Sequence, residues 1–183
     1  MNKVDVNLRI LFLFFALYFP SISMAAASGH VNYADPGYIM AEVSKRSPRS
    51  VVSELYAQPE TWYMVLQNIA TGSESWLRVA VALRAGSDAG ASEMLTRSVG
   101  EALENSPESV FLIALPEFNL ESICGPPDID DVRYDTYERA MQALKNRQSR
   151  ILAIKNPELV NISKQCDHFL EQSKNNVERF FGK

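Results

Sequence analysis

The chain has very few of the residues that hold metals or build redox sites. Its 183 residues include two histidines and two cysteines. His30 and His168 lie at opposite ends of the sequence, so a histidine-rich zinc site is excluded. Runs of lysine and arginine with interleaved aromatics are missing, and the formal net charge is −4. The chain therefore lacks the electrostatic footprint expected for nucleic acid or anionic lipid. No apolar stretch reaches the roughly 20 residues that a membrane-spanning helix needs. Period-two alternation is nowhere sustained, which leaves no basis for a sheet. No metal and no cofactor is expected.

Lys3 and Arg9 precede an apolar run over 10–19, and small residues follow Pro20 as far as Ala27. This pattern reads as a secretory signal peptide over 1–27, with cleavage after Ala25 or after Ala27. No cysteine follows the cleavage region, so lipid attachment there is not expected. The remainder, 28–183, is expected to form a single domain, a comfortable size for one core. Without 1–25 the chain carries 16 basic and 21 acidic side chains, a net charge near −5. The expected location is periplasmic or secreted. In such a compartment an even pair, Cys124 and Cys166, is most simply a disulfide. Its closure stabilises the fold by about 4 kcal/mol on the chain-entropy model. Two free structural thiols are the alternative.

Helix starts are marked by a small polar residue before proline: Asp35-Pro36, Ser47-Pro48, Ser106-Pro107 and Asn156-Pro157. Each places an N-cap ahead of a proline whose missing N–H costs nothing at the first helical position. After a loose lead over 28–35, helices are expected near 36–46, 48–57, 59–71, 74–85, 88–104, 107–115, 131–154 and 157–181. The stretch 76–83 (WLRVAVAL) is apolar almost all the way round, broken only by Arg78, with Arg84 following. A helix with no polar face must be covered on several sides, so 74–85 is expected as a central rod. Trp62, Val65, Leu66 and Ile69 form one apolar face, and Ala91, Leu95, Val99 and Ala102 another. Gly72 and Gly86 stand where a left-handed closing residue is wanted.

These features predict an all-α bundle of stacked antiparallel helical hairpins with a long C-terminal helix pair and one disulfide. An echo of Ser47-Pro48 and Val51 in Ser106-Pro107 and Val110 leaves a degenerate HEAT-like repeat as a variant, although a shared capping solution accounts for it more simply. The C-terminal stripes are Tyr137, Met141, Leu144 and Ile151, then Leu159, Ile162, Cys166, Phe169, Val177 and Phe180. Cys166 lies on its stripe, so a bridge to Cys124 would staple the irregular 116–128 segment onto the last helix. A redox role for Cys124 is not expected, because no second cysteine stands close by.

The block 70–95 (ATGSESWLRVAVALRAGSDAGASEML), followed by 103–115 and a lone cysteine, resembles a set of small exported helical proteins of Gram-negative bacteria. The resemblance spans 61–124 and is most specific at Trp76-Leu77 and over 86–90. It implies a periplasmic location and no activity, and it transfers no catalytic residue.

The candidate chemistry is thin. Cys166 and His168 are two apart on a helix and point about 200° from one another, so they cannot form a nucleophile–base pair. The acidic group Asp128, Asp130, Asp131, Asp135 and Glu138 lacks the glycine and distal glutamate of a calcium loop. Acidic residues at a helix start are what the macrodipole favours, and capping is the expected role. The small-residue loop 86–92 lacks the lysine of a phosphate loop, and Asp88 would repel an anion; a tight interhelical turn is expected, with Gly90, Ala91 and Gly100 permitting close packing. Trp62 and Tyr63 are adjacent, so both cannot face the core. With Arg133, Tyr134 and Arg139 they form the candidate partner-binding set, since Tyr, Trp and Arg dominate protein-binding hot spots.

The function expected from this profile is non-enzymatic: an exported protein that binds a protein partner, either as an immunity-type inhibitor of an envelope-acting toxin or as an envelope adaptor. Two alternatives stand beside it. One is a small cell-wall hydrolase using carboxylates among Glu74, Asp88, Glu93 or the 128–138 group, and the other is a structural homodimer formed through the long C-terminal helices.

Overall fold

The computed structural model describes residues 31–115 and 117–183. The expected signal peptide and its cleavage sites lie outside the described residues. From Val31 to Lys183 the chain forms one compact unit. Every regular element among the described residues is helical.

The proline-marked starts fold largely as their chemistry requires. α1 (Pro36–Lys45) is capped by the Asp35 carboxylate, which accepts from the Gly37 N–H, and α2 (Pro48–Tyr56) by the Ser47 hydroxyl, which accepts from the Ser50 N–H. α3 (Pro59–Ala70) follows from Gln58 with no side-chain cap and ends at Gly72, whose φ of 75° is the left-handed closure expected of glycine. α4 (Glu74–Arg84) buries Trp76, Leu77, Val79, Ala80 and Leu83. It packs against α1, α2, α3, α5 (Ala89–Ala102) and the turn at 110–114, and so is the covered rod its composition demands. Among α1 to α5 the most extensive pairings join α3 to α5 and α1 to α4.

Several expectations need correction. Gly86 does not close α4 in a left-handed conformation; a Cβ there would lie 2.2 Å from the Arg49 nitrogen, so glycine serves the approach of α2. The helix expected over 107–115 is a three-residue α-helical stretch, α6 (Pro107–Ser109), followed by a π-helical turn over Val110–Ala114. Ser106 makes no side-chain cap bond, so the repeat-like echo with Ser47 does not extend to a shared capping geometry. The lead is not loose over 31–35: Tyr33 is buried, sets its ring edge-on to Tyr38 at 5.5 Å and donates its hydroxyl to Glu54 on α2. Arg46 closes the same Glu54 carboxylate from α1 at 2.5 Å.

α7 (Leu120–Ile123), capped by Asn119, is short and was not expected. It rests on α5 at Gly100, where a Cβ would meet the Ile123 carbonyl oxygen at 2.7 Å. The expected helix 131–154 begins only at Tyr137: α8 spans Tyr137–Leu152 and takes its cap from Thr136. After a 3-10 turn at Pro157–Leu159, where Asn156 accepts from the Glu158 N–H, α9 runs over Val160–Phe180. α8 buries Ala140, Leu144, Arg147 and Ile151, and α9 buries Ser163, Cys166, Leu170, Ser173 and Val177. The alternating three-and-four spacing is that of a coiled-coil seam. Phe180, expected on this stripe, is 65% exposed instead. Cys124 and Cys166 form the disulfide, with Cα atoms 5.4 Å apart, and join the end of α7 to the N-terminal third of α9.

Candidate functional site

The fold brings two of the five candidate partner-binding residues to one groove of about 460 Å³ along α5. α3 contributes Tyr63, Leu66 and Gln67, and α5 contributes Met94, Arg97, Ser98 and Glu101. The opposite wall is the loop before α8, through Asp128, Asp130, Asp131 and Arg133. The α5 residues recur at helical spacing on a face flanking the buried Ala91, Leu95 and Val99, with Ser98 at its edge.

Arginines fasten the loop to the helix. Arg133 donates through Nη1 to Glu101 Oε2 at 2.7 Å and through Nη2 to Glu101 Oε1 at 3.0 Å, and it also pairs with Asp131 at 2.7 Å. This fork is the geometry that makes arginine–carboxylate pairs directional. The Arg133 hydrogen bond holds the Asp131 carboxyl below its usual range, and the same bond, with Glu101, raises the guanidinium. Arg97 bonds Asp128 across the gap and Glu93 at 2.6 Å on its own helix. A second hollow of about 530 Å³, lined in part by Arg84, Thr96 and Pro127, shares Arg97, Asp128 and Asp130 with the first. Behind the loop, the disulfide fixes Cys124 one residue before Gly125.

The expected residues separate as follows. Tyr63 is 56% exposed and lines the groove, while Trp62 is buried, its indole N–H donating to Met94 Sδ at 3.3 Å and its ring meeting Tyr56 edge-on. Trp62 is therefore a core residue and not a contact surface. Arg133 lines the rim with its guanidinium 5.1 Å over the Tyr134 ring. Tyr134 is half-buried and its phenol pKa is raised, chiefly by that burial. Arg139 lines neither hollow; it bonds Asp135 at 2.7 Å and the Val132 carbonyl at 2.8 Å.

The acidic group does not cap α8 as expected. Asp128, Asp131 and Asp135 bond arginines, and only Glu138 lies in the first helical turn. Among the described residues, no group of three or more His, Cys, Asp or Glu could hold a metal ion. Of the hydrolase candidates, Glu93, Asp128 and Asp130 share the second hollow, where Arg97 pairs with both Glu93 and Asp128, whereas Glu74 and Asp88 line neither of these two hollows. Glu74 pairs with Arg78 beside a separate hollow next to Met40 and Leu112, Glu93 pairs with Arg97, and Asp88 starts α5 without a side-chain cap bond. The lowered Asp131 carboxyl is displaced in the opposite direction to a general acid. Cys166 is consumed by the disulfide, and His168 is exposed beside Gln172 at 2.9 Å.

Gln67 and Ser98 were missed in the sequence, and Asp130 was weighed there only as a member of the acidic group and not as a partner contact. Ser98 interrupts an otherwise apolar helix face, which was the available signal, whereas Gln67 lies on an exposed face and gave none. No protein-family model, no curated protein and no solved structure matches this chain. None of these comparisons assigns it an enzymatic activity.

Proposed function

We propose that this chain is an exported periplasmic protein that acts by binding another protein, as an immunity-type inhibitor of an envelope-acting toxin or as an envelope adaptor. The observation that carries the reading is the α5 groove. It sets an exposed tyrosine and a half-exposed arginine on a wall pre-organised by bidentate pairing and anchored by a disulfide. Rigid aromatic and arginine groups beside a concave apolar floor are what protein-binding hot spots use. The pairing of Glu93 and Asp128 with one arginine, Arg97, weighs against the hydrolase alternative. The homodimer alternative needs an exposed apolar seam, whereas the α8–α9 seam is buried within the chain. Of its exposed apolar residues, Leu152 and Val160 flank the turn between the helices and Phe180 lies at the other end of α9.

The test is affinity capture with C-terminally tagged protein from native envelope extract under non-reducing conditions. The expected result is one stoichiometric protein partner lost on the double change Tyr63→Ala and Arg133→Ala. Recovery of the bait alone overturns the reading.

A further inference from the structure

The groove contains four polar side chains with no hydrogen-bond or ion-pair partner among the described residues: the Tyr63 phenol, the Gln67 amide, the Ser98 hydroxyl and the Asp130 carboxylate. Elsewhere in the same groove every charged group is paired: Arg97 with Asp128, and Arg133 with Glu101 and Asp131. Ser98 is the informative member. Its residue is only 7% exposed, yet it lines the groove, so its hydroxyl opens onto the cavity. The hydroxyl itself is reached by solvent through the groove, so with no protein partner it is free to exchange water for a ligand group. The groove also carries four carboxylates against two guanidiniums, so its local charge is negative, and Asp130 is the carboxylate left uncompensated. Its floor is apolar, formed by Leu66 and Met94.

We infer that the groove takes one basic side chain, an arginine or lysine presented by a protein partner, on the Asp130 carboxylate and the Ser98 hydroxyl. The aliphatic stem of such a side chain covers Leu66 and Met94, as long cationic side chains do on apolar surface. Its charged head forms a charge-assisted bond with Asp130 and donates to Ser98. Tyr63, exposed at the rim, offers a ring face to the same cation. An anion is disfavoured, because both guanidiniums of the groove are already neutralised. This inference rests on the protein-binding reading and specifies the chemistry of the contact.

The experiment titrates the full chain with three probes, followed by amide NMR shifts: acetyl-Gly-Arg-Gly-amide, the same peptide with citrulline for arginine, and free agmatine. The expected result is saturable binding of the arginine peptide with shifts at 98 and 130, weakened about tenfold or more by Asp130→Asn and by Ser98→Ala. Citrulline, isosteric and neutral, should bind at least about tenfold more weakly. Equal binding of the citrulline peptide, or an affinity indifferent to both substitutions, overturns the inference. Agmatine bound more tightly than the peptide also overturns it, by assigning the groove to a free small cation. The two proposals fail separately: a captured partner insensitive to Asp130→Asn and Ser98→Ala removes the basic-side-chain assignment and leaves the protein-binding reading intact. Absence of any partner removes the latter.

Discussion

At Gly86 the constraint is a neighbouring chain and not a backbone angle. An added Cβ would stand 2.2 Å from both the Arg49 nitrogen and the Pro48 carbonyl carbon, which are backbone atoms that cannot rotate away. Gly86→Ala should therefore destabilise the fold by about 1–3 kcal/mol in urea unfolding. Gly90 is the control. Its Cβ would meet only the Tyr56 side chain, whose hydroxyl at 2.8 Å is the far end of a residue that is 48% exposed and can shift outward. Gly90→Ala should be neutral or slightly stabilising, since alanine is the better helix former. Equal losses at the two positions would show that close approach to α2 is not what Gly86 provides. Tyr33 is governed by partner and burial together. Burial first, then Glu54, pushes its phenol from an ordinary value near 10 up to about 12. A raised folded value means that this contribution is full below about pH 10 and is lost as pH climbs to about 12. The Tyr33 bond, followed by Arg46, also lowers the Glu54 carboxyl, so that contribution is present in neutral solution and is lost as pH falls through the lowered value. Tyr33→Phe should flatten the stability profile over pH 10 to 12 and weaken its acid limb; an unchanged alkaline limb would show that the phenol is not shifted.

At the scale of elements, the join between α8 and the rest of the molecule passes through a buried cation. Arg147 occupies a seam position where its neighbours are Leu144 and Ile151, and its side chain is 3% exposed. It reaches Glu104 beyond the end of α5 at 3.2 Å and the Gly125 carbonyl at 3.4 Å. The partners are unequal, because Glu104 keeps a quarter of its side chain in solvent. Removing Glu104 strands a charge that water cannot reach, whereas removing Arg147 leaves a carboxylate that water can solvate. Glu104→Ala should therefore cost about 3 kcal/mol or more, and Arg147→Met, which conserves much of the volume, about 1 kcal/mol or less. Chemical denaturation of both variants decides the point, and the reverse order would refute the burial argument. α9 resolves its polar seam residues locally: Ser163 donates to the Leu159 carbonyl at 2.8 Å and Ser173 to the Phe169 carbonyl at 2.9 Å. Serine can therefore occupy heptad positions here without an unsatisfied hydroxyl, which is why the apolar stripe read from sequence shares Cys166 and Val177 with the actual seam but misses Ser163 and Ser173.

At the scale of the whole molecule, the legible parts were those fixed within a few residues. Asp35, Ser47 and Asn156 cap the helices they precede, Gly72 closes α3, and the 76–83 stretch is the covered rod. The segment before Tyr137 was illegible because its form depends on partners about 30 residues away, Arg97 for Asp128 and Glu101 for Arg133. Its aspartates look like a helix start when read alone. The groove was half legible for the same reason: Tyr63 and Arg133 are conspicuous as residue types, but Ser98 gains meaning only when three segments meet. The link in this arrangement that the sequence did anticipate is the disulfide, and its removal tests how the parts depend on one another. Cys124 joins the end of α7, and thus the root of the groove-lining loop, to α9 over a separation of 42 residues. Replacing both cysteines with alanine should cost about 2–5 kcal/mol of global stability by freeing the unfolded chain. The local consequence should be uneven. The α8–α9 seam keeps Leu144, Ile151, Leu170 and Val177, whereas α7 has four residues and rests mainly on α5 and α9. Hydrogen exchange of the double variant under native conditions should accelerate first in 119–134, by more than in 140–151 or 163–177. Uniform acceleration across all three segments would mean that the loop and the helix pair open as one unit, and that the groove is held by the entire fold and not by its disulfide anchor.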